Sequence, residues 1–311
     1  MVEEDGECDH RLSGEITRVP VDLASGGVQM MESWAGWAAA HDGVDHVALP
    51  PEVDLSKPSI ARFYDYVLGG KENFEVDRRA ADAIYTAVPE TSQLAKDNRN
   101  HLRRAVRYLV AEAGIRQIID IGSGLPTVGN VHEIAHEITP TVRVVYVDND
   151  PVVQAYGRAL LSNESTTTMI TADVRDPESI FENPETRALI DYREPYAVLA
   201  ASILHHLDDG EDPYGLTAAI RDRLRAGCYL LVSNFLDDDE PRAKELQRAF
   251  LKGGLGTGRF RTWSEQRRFF EGLEMVEPGL VYANDWRPDD LTPTESPVHT
   301  LYAGGIGRKL T

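Results

Sequence analysis

Three aspartates, Asp120, Asp148 and Asp173, each close or follow a short apolar, β-branched run. Asp120 lies within Gln117–Ile121 (QIIDI), directly before Gly122-Ser123-Gly124. Gly122 permits a tight reversal there, and Gly124 lets a ligand approach the backbone. The third glycine of the dinucleotide fingerprint is missing, because Leu125-Pro126-Thr127 follows. Pro126 also lacks the backbone donor that a pyrophosphate would use. The loop therefore suits a nucleoside ligand without phosphates, and Asp120 and Thr127 both disfavour a nicotinamide dinucleotide. Asp148 comes 24 residues after Gly124, near the roughly 20-residue offset at which an acid holds ribose hydroxyls. A carboxylate can accept from both hydroxyls at once. Asp173 offers an acceptor to an adenine amino group, and Val174 a backbone donor to a ring nitrogen. Any one of these acids alone reads as a solvated turn residue. Three in succession, the first beside a Gly-x-Gly turn, predict a shared nucleoside pocket. Asp150 and Asp176, each before a proline, read instead as helix caps.

A pocket of this kind needs a parallel sheet whose strand ends converge, and the hydrophobic pattern supplies one. Helices are predicted over 59–70, 77–87 and 92–113, with Ile60, Phe63, Tyr64 and Val67 at helical spacing in the first. The period then changes. Strands are predicted at 117–121, 142–147, 169–171, 197–201 and 228–234, with helices at 131–138, 150–161, 176–181, 214–224 and 241–251 between and after them. Such alternation of buried strands with helices means an α/β, doubly wound, mostly parallel sheet covered on both faces. Thr262 and Glu265 form a capping box for a last helix, and strands at 275–282 and 298–303 close the sheet with an antiparallel pair. Residues 1–54 lack sustained periodicity, apart from one short helix over 30–40, and read as a disordered extension, with a helical lid over a ligand or partner site as the alternative.

The charge balance limits the partners. Thirty-two basic against 51 acidic residues give a net charge of −19. So acidic a surface repels phosphate backbones and anionic lipid, which argues against nucleic-acid and membrane partners. Two cysteines, Cys8 and Cys228, exclude a disulfide framework and a cysteine-only zinc site, so a reduced, cytoplasmic protein without a metal is expected. The N-terminal VEEDGECDH has neither the basic start nor the apolar stretch of a secretory signal.

A carboxylate on the first strand, a glycine turn, and acids after the next two strands resemble class I S-adenosylmethionine-dependent methyltransferases. The flanks narrow the resemblance. SIARFYDYVLGGKENF (59–74), DIGSGLPT (120–127) and VYVDNDPV (145–152) are similar to one actinobacterial family, the S-adenosyl methyltransferases, formerly a domain of unknown function. The likeness runs from about Pro50 to the C-terminus. It implies a seven-stranded sheet with an antiparallel last strand over 115–311, an N-terminal helical cap over 55–114, and S-adenosyl-L-methionine in the crevice. Carried over by position, Gly122, Ser123 and Gly124 would pack against the methionine portion. Asp148 would take the ribose with Asn149 beside it, and Asp173 and Val174 would face the adenine. Ala201 and Ser202 would lie near the sulfonium.

Methyl transfer to an oxygen or nitrogen can need a base. His205 and His206, in the loop after the fourth strand, are the candidates; packing of the turn is their structural alternative. Tyr64 belongs to a helix that can cap the cofactor, where an aromatic face favours the sulfonium charge; core packing is the simpler account of its spacing. Arg99, Arg103 and Arg107 form one stripe, by default a solvated face, although Asn98 and Arg99 could reach the methionine carboxylate. The loop 253–258 reads as flexible and able to border an acceptor pocket. The expected activity is methyl transfer to a small-molecule acceptor, with a non-catalytic cofactor-binding module as the alternative.

Overall fold

The computed structural model describes residues 53–126, 129–161 and 165–311. The extension up to residue 52, with the helix expected over 30–40, lies outside the described residues. Three helices come first: α1 (Ile60–Val67), α2 (Glu75–Ala87) and α3 (Thr91–Ala111). Strands and helices then alternate through β1 (Gln117–Ile121), α4 (Val131–His136), β2 (Arg143–Asp148), α5 (Pro151–Leu161) and β3 (Thr167–Thr171). Two short helices follow, α6 (Pro177–Phe181) and α7 (Pro184–Leu189), the second of them unanticipated. Next come β4 (Ala197–Ala201), α8 (Pro213–Arg223), β5 (Tyr229–Phe235), α9 (Pro241–Lys252) and α10 (Trp263–Arg267). The last strands are β6 (Glu274–Met275), β7 (Val281–Tyr282) and β8 (Tyr302–Arg308).

The sheet has the order β3-β2-β1-β4-β5-β8-β6, with β7 also on β8. Strands β1 to β5 are parallel, and β8 runs antiparallel to all three of its partners. This is the doubly wound, mostly parallel architecture that the pattern predicts. It has eight strands rather than seven, because the stretch expected as one strand over 275–282 divides into β6 and β7. Pro278 cannot donate to the ladder, and Gly279 turns the chain with φ +96°.

The last strand also needs correction. It was expected over 298–303, a β-branched and aromatic run, but His299–Leu301 is a 3-10 turn and the strand spans Tyr302–Arg308. Its glycines are demanded by neighbours. A Cβ on Gly304 would stand 2.4 Å from the His101 ring, and one on Gly307 would stand 2.9 Å from Leu273.

The central strands are mostly apolar because both faces are covered. Ile118, Val144, Leu199 and Leu231 face one core with Val106 and Leu109 of α3. Their neighbours Ile119, Val145, Val198 and Leu230 face the other, with Ile180 of α6 and Ile220 of α8. Each such side chain, fully buried, stabilises the fold by roughly 1.5–3 kcal/mol. Helices α1 and α2 sit with α9 in a third cluster, around Phe63, Ile84, Phe235 and Phe250. Among the described residues, no helix is long and apolar enough to cross a membrane.

Candidate functional site

The motif before the sheet is a set of buried acids tying loops together. Asp77, fully buried, accepts from the Ser59 and Phe74 amides and from Arg62, which is itself only 3% exposed. Asp65 accepts from the Glu72 amide at 2.8 Å and from Asn73 at 2.9 Å, and Gly70 leaves it room: a Cβ there would stand 1.9 Å from Asp65 Oδ1. The Gly69-Gly70-Lys71 turn is thus anchored. The Ser59 hydroxyl donates to Asp150, whose other oxygen accepts from the Val152 amide at 2.8 Å. Asp150 therefore starts α5 and also fastens the entry to α1 at the sheet's edge.

Beyond β1 the chain turns through Gly122 (φ +70°) and Gly124 (φ +68°), a region that favours glycine. The amides of Gly122 and Ser123 both donate to the Val147 carbonyl, at 2.8 and 3.1 Å. A Cβ on Gly122 would stand 2.7 Å from Ile203, whereas one on Gly124 would meet nothing within 4 Å. Asp148 reaches across from β2: its Oδ2 accepts from the Gly124 amide and its Oδ1 from the Asp150 amide, each at 2.9 Å.

These strand ends border a cavity of about 490 Å³, open to solvent on one side and flanked by residues of α1, α3 and the segment 53–59. Asp120, Gly122, Ser123, Gly124, Asp148 and Asn149 line it, as do Ala201, Ser202, His206 and Tyr64. So ten of the thirteen side chains expected at the site share one hollow; Asp173, Val174 and His205 do not. Val174 is buried in the core beside Ile170 and Phe181. Asp173 is held by Arg175 at 2.9 Å and by Asn149 Nδ2 at 2.7 Å, so it touches the hollow only through Asn149. Arg175 in turn pairs with Glu211, which accepts from Thr257, so this rim is laced from β2 to the glycine loop.

The cavity carries unusual charge. Asp120 accepts no hydrogen bond from any described residue, and burial pushes its carboxyl up to about 7, with Asp148 adding to the rise and Arg99 opposing it. Burial likewise raises Asp148 to about 6, against the amides that favour its ionised form. Arg99 lines the same space with its guanidinium 5.6 Å from the Tyr64 ring centre. Asn98, also on the wall, donates to the Tyr64 hydroxyl at 2.9 Å and accepts from Ser233 at 3.1 Å. Arg103 and Arg107 pair instead with Asp289 and Glu137 outside. The stripe of three is thus split: Arg103 and Arg107 belong to the solvated face, and Arg99, with Asn98, is on the cavity wall.

The two histidines separate in role. His205 and His206 sit in a 3-10 turn with their rings 4.3 Å apart. His205 donates its amide to Asn234 and packs on Phe235. His206 lines the cavity, and burial lowers its imidazolium to about 4, so the ring is neutral. The loop 253–258 presses on this turn, since a Cβ on Gly258 would stand 1.9 Å from the His205 carbonyl oxygen. Gly254 and Gly256 of that loop line the cavity.

No curated protein matches the chain. Two solved structures resemble it over most of its length. One is a putative methyltransferase from Thermobifida fusca, 46% identical, covering 84% of this chain and 98% of its own, with a TM-score of 0.80. The other is a duf574 family protein from Streptomyces avermitilis, 38% identical, covering 82% of this chain and 99% of its own, with a TM-score of 0.78. The family model described as S-adenosyl methyltransferase matches residues 46–310. The chain belongs to the S-adenosyl methyltransferase family and is an S-adenosylmethionine-dependent methyltransferase.

Proposed function

We propose that the protein methylates a small molecule held beside Ser202 and His206, and that the 490 Å³ cavity holds the cofactor. The observation that carries this reading is the donor set of that cavity. An unpartnered buried carboxyl at Asp120 and a guanidinium at Arg99 complement the ammonium and carboxylate of an amino acid. Asp148 and Asn149 complement vicinal hydroxyls, and no phosphate cradle is present among these residues. That set fits a nucleoside joined to an amino acid, which is what S-adenosylmethionine is.

When bound, the cofactor supplies a methyl group already activated by its sulfonium. Asp148 and Asn149 hold the ribose, and Asp173 steadies Asn149. Gly122, Ser123 and Gly124 allow close approach of the methionine portion, while Asp120 and Arg99 fix its two charges. Ala201 and Ser202 lie toward the reacting centre, and Tyr64 presents an aromatic wall. These residues work by orientation and by excluding water.

His206 is the cavity's candidate proton acceptor. Its low basicity sets a limit: placing a proton there at pH 7 costs roughly 4 kcal/mol, at about 1.36 kcal/mol per pKa unit. The imidazole therefore orients the acceptor's hydrogen and takes the proton late, as the methyl is transferred. A net charge of −19 supports a small acceptor over a polynucleotide. The test is transfer of labelled methyl from the cofactor into a metabolite extract. Labelling of a low-mass product is expected; tight binding without transfer would leave only a binding module.

A further inference from the structure

A second, smaller hollow of about 20 Å³ adjoins the cavity, and both share Ile60, Tyr64, Asn98, Ser202 and His206 as walls. It lies where Ala201 and Ser202 would place the reacting centre. Its remaining walls are largely aromatic, including Phe63, Phe235, Phe250 and Tyr302, and no Asp, Glu, Lys or Arg lines it. An apolar pocket with a few converging polar groups is the usual form of a small-molecule site.

Two polar atoms on these walls are buried without a well-aligned hydrogen bond among the described residues: His205 Nε2, with Asn234 near its ring, and Tyr302 Oη, with Ser202 and Ser233 nearby. The protonation of His205 follows from its neighbour. The Phe235 amide donates to His205 Nδ1 at 3.2 Å, so Nδ1 is the acceptor and the ring's one proton sits on Nε2. Burial and the adjacent His206 hold the imidazolium far below its ordinary range, so the ring stays neutral. The hollow thus presents a donor with no well-aligned acceptor, which is costly to leave buried. At its size it takes one edge of a group whose remainder lies in the larger cavity, and it offers nothing to offset the desolvation of a charge.

We propose that this hollow is the acceptor subsite and selects an uncharged aromatic compound, whose oxygen accepts a hydrogen bond from His205 Nε2 and meets Tyr302 Oη. His205 is then a specificity-determining donor rather than a base. The inference rests on reading the larger cavity as the cofactor site.

The test uses the full chain saturated with S-adenosylhomocysteine, and calorimetry with three phenols of similar size. 4-Hydroxyacetophenone is neutral and bears a carbonyl, 4-hydroxybenzoate is an anion, and tyramine is a cation. The neutral probe should bind at least tenfold more tightly than either ion. His205→Leu, close to histidine in volume and without the donor, should erase most of that preference without changing the affinity for S-adenosylhomocysteine. Tyr302→Phe should weaken the neutral probe several-fold and serves if the first variant does not fold. Equal or tighter binding of an ion, no binding of the neutral probe to the loaded protein, or full affinity in both variants would overturn the assignment. Failure of S-adenosylhomocysteine itself to bind would instead overturn the cofactor reading beneath it.

Discussion

The Gly124 amide donates to Asp148 Oδ2 at 2.9 Å, so the turn after β1 and the acid after β2 form one unit. The carboxylate that is proposed to hold the ribose also holds the loop that approaches the methionine portion. Asp148→Ala should therefore weaken cofactor binding by about 1.5–3 kcal/mol, the range for a hydrogen bond to a charged group, and loosen the turn as well. Calorimetry with S-adenosylmethionine checks this, and an unchanged Kd would remove Asp148 from the site.

Asp120 should make cofactor binding depend on pH. Its carboxyl titrates near 7 because it is buried, and the cofactor's ammonium needs the ionised form. Affinity should rise between pH 5 and 7 and level off above, with a proton released on binding at pH 6. The free fold shows the opposite sign. A carboxyl raised above its unfolded value stabilises the fold at low pH, and that contribution is lost as pH climbs from about 4 to about 7. Binding heats measured in buffers of different ionisation enthalpy report the released proton. Asp120→Asn should reduce it to the part that Asp148, raised to about 6, contributes; an undiminished release in that variant would remove Asp120 from the site.

Two glycines should respond differently to alanine. Gly124→Ala meets open space and carries only the cost of its left-handed backbone, about 1–2 kcal/mol. Gly258→Ala drives a methyl into the His205 carbonyl, which is backbone and cannot turn aside. That variant should lose more stability than the first and should disturb the 204–206 turn. Thermal unfolding of both, beside histidine NMR spectra, would rank them; equal losses would refute the close packing.

Asp77→Ala should be among the most damaging single changes outside the cavity. It strands Arg62, 3% exposed, without its carboxylate, and removes the acceptor for two amides. Breaking a buried pair this way costs about 3–5 kcal/mol. Denaturant unfolding measures it, and a loss under about 1 kcal/mol would show that Arg62 finds other partners.

What sequence alone reveals here follows the range of the forces involved. Strands β1 and β4 are legible to the residue because each apolar run is only five residues, too short for a buried helix, and ends at a turn residue, Gly122 or Ser202. Strand β8 is hidden because Gly304, Gly305 and Gly307 look like a turn, and their reason lies in His101, Gly279 and Leu273, far away in the chain. Asp120 announces itself by standing just before a Gly-x-Gly turn, and Asp148 by closing the next strand 24 residues after Gly124. Asp173 likewise follows a strand, yet Arg175 and Asn149 claim its carboxylate, and Arg175 is in turn held by Glu211. Arg99 is named from the sequence as able to reach the methionine carboxylate, but its spacing equals that of Arg103 and Arg107, and only the rotation of α3 against the sheet puts it on the cavity wall.

Strand β8 carries one consequence for how the molecule is made. Residues 302–308 are late in the chain yet fill an interior position, between β5 and the short strands β6 and β7. During synthesis the nascent protein must therefore wait, with one side of β5 unsatisfied, until those residues leave the ribosome. A stop codon before residue 300 would remove a middle plank, leaving a sticky border open to other chains.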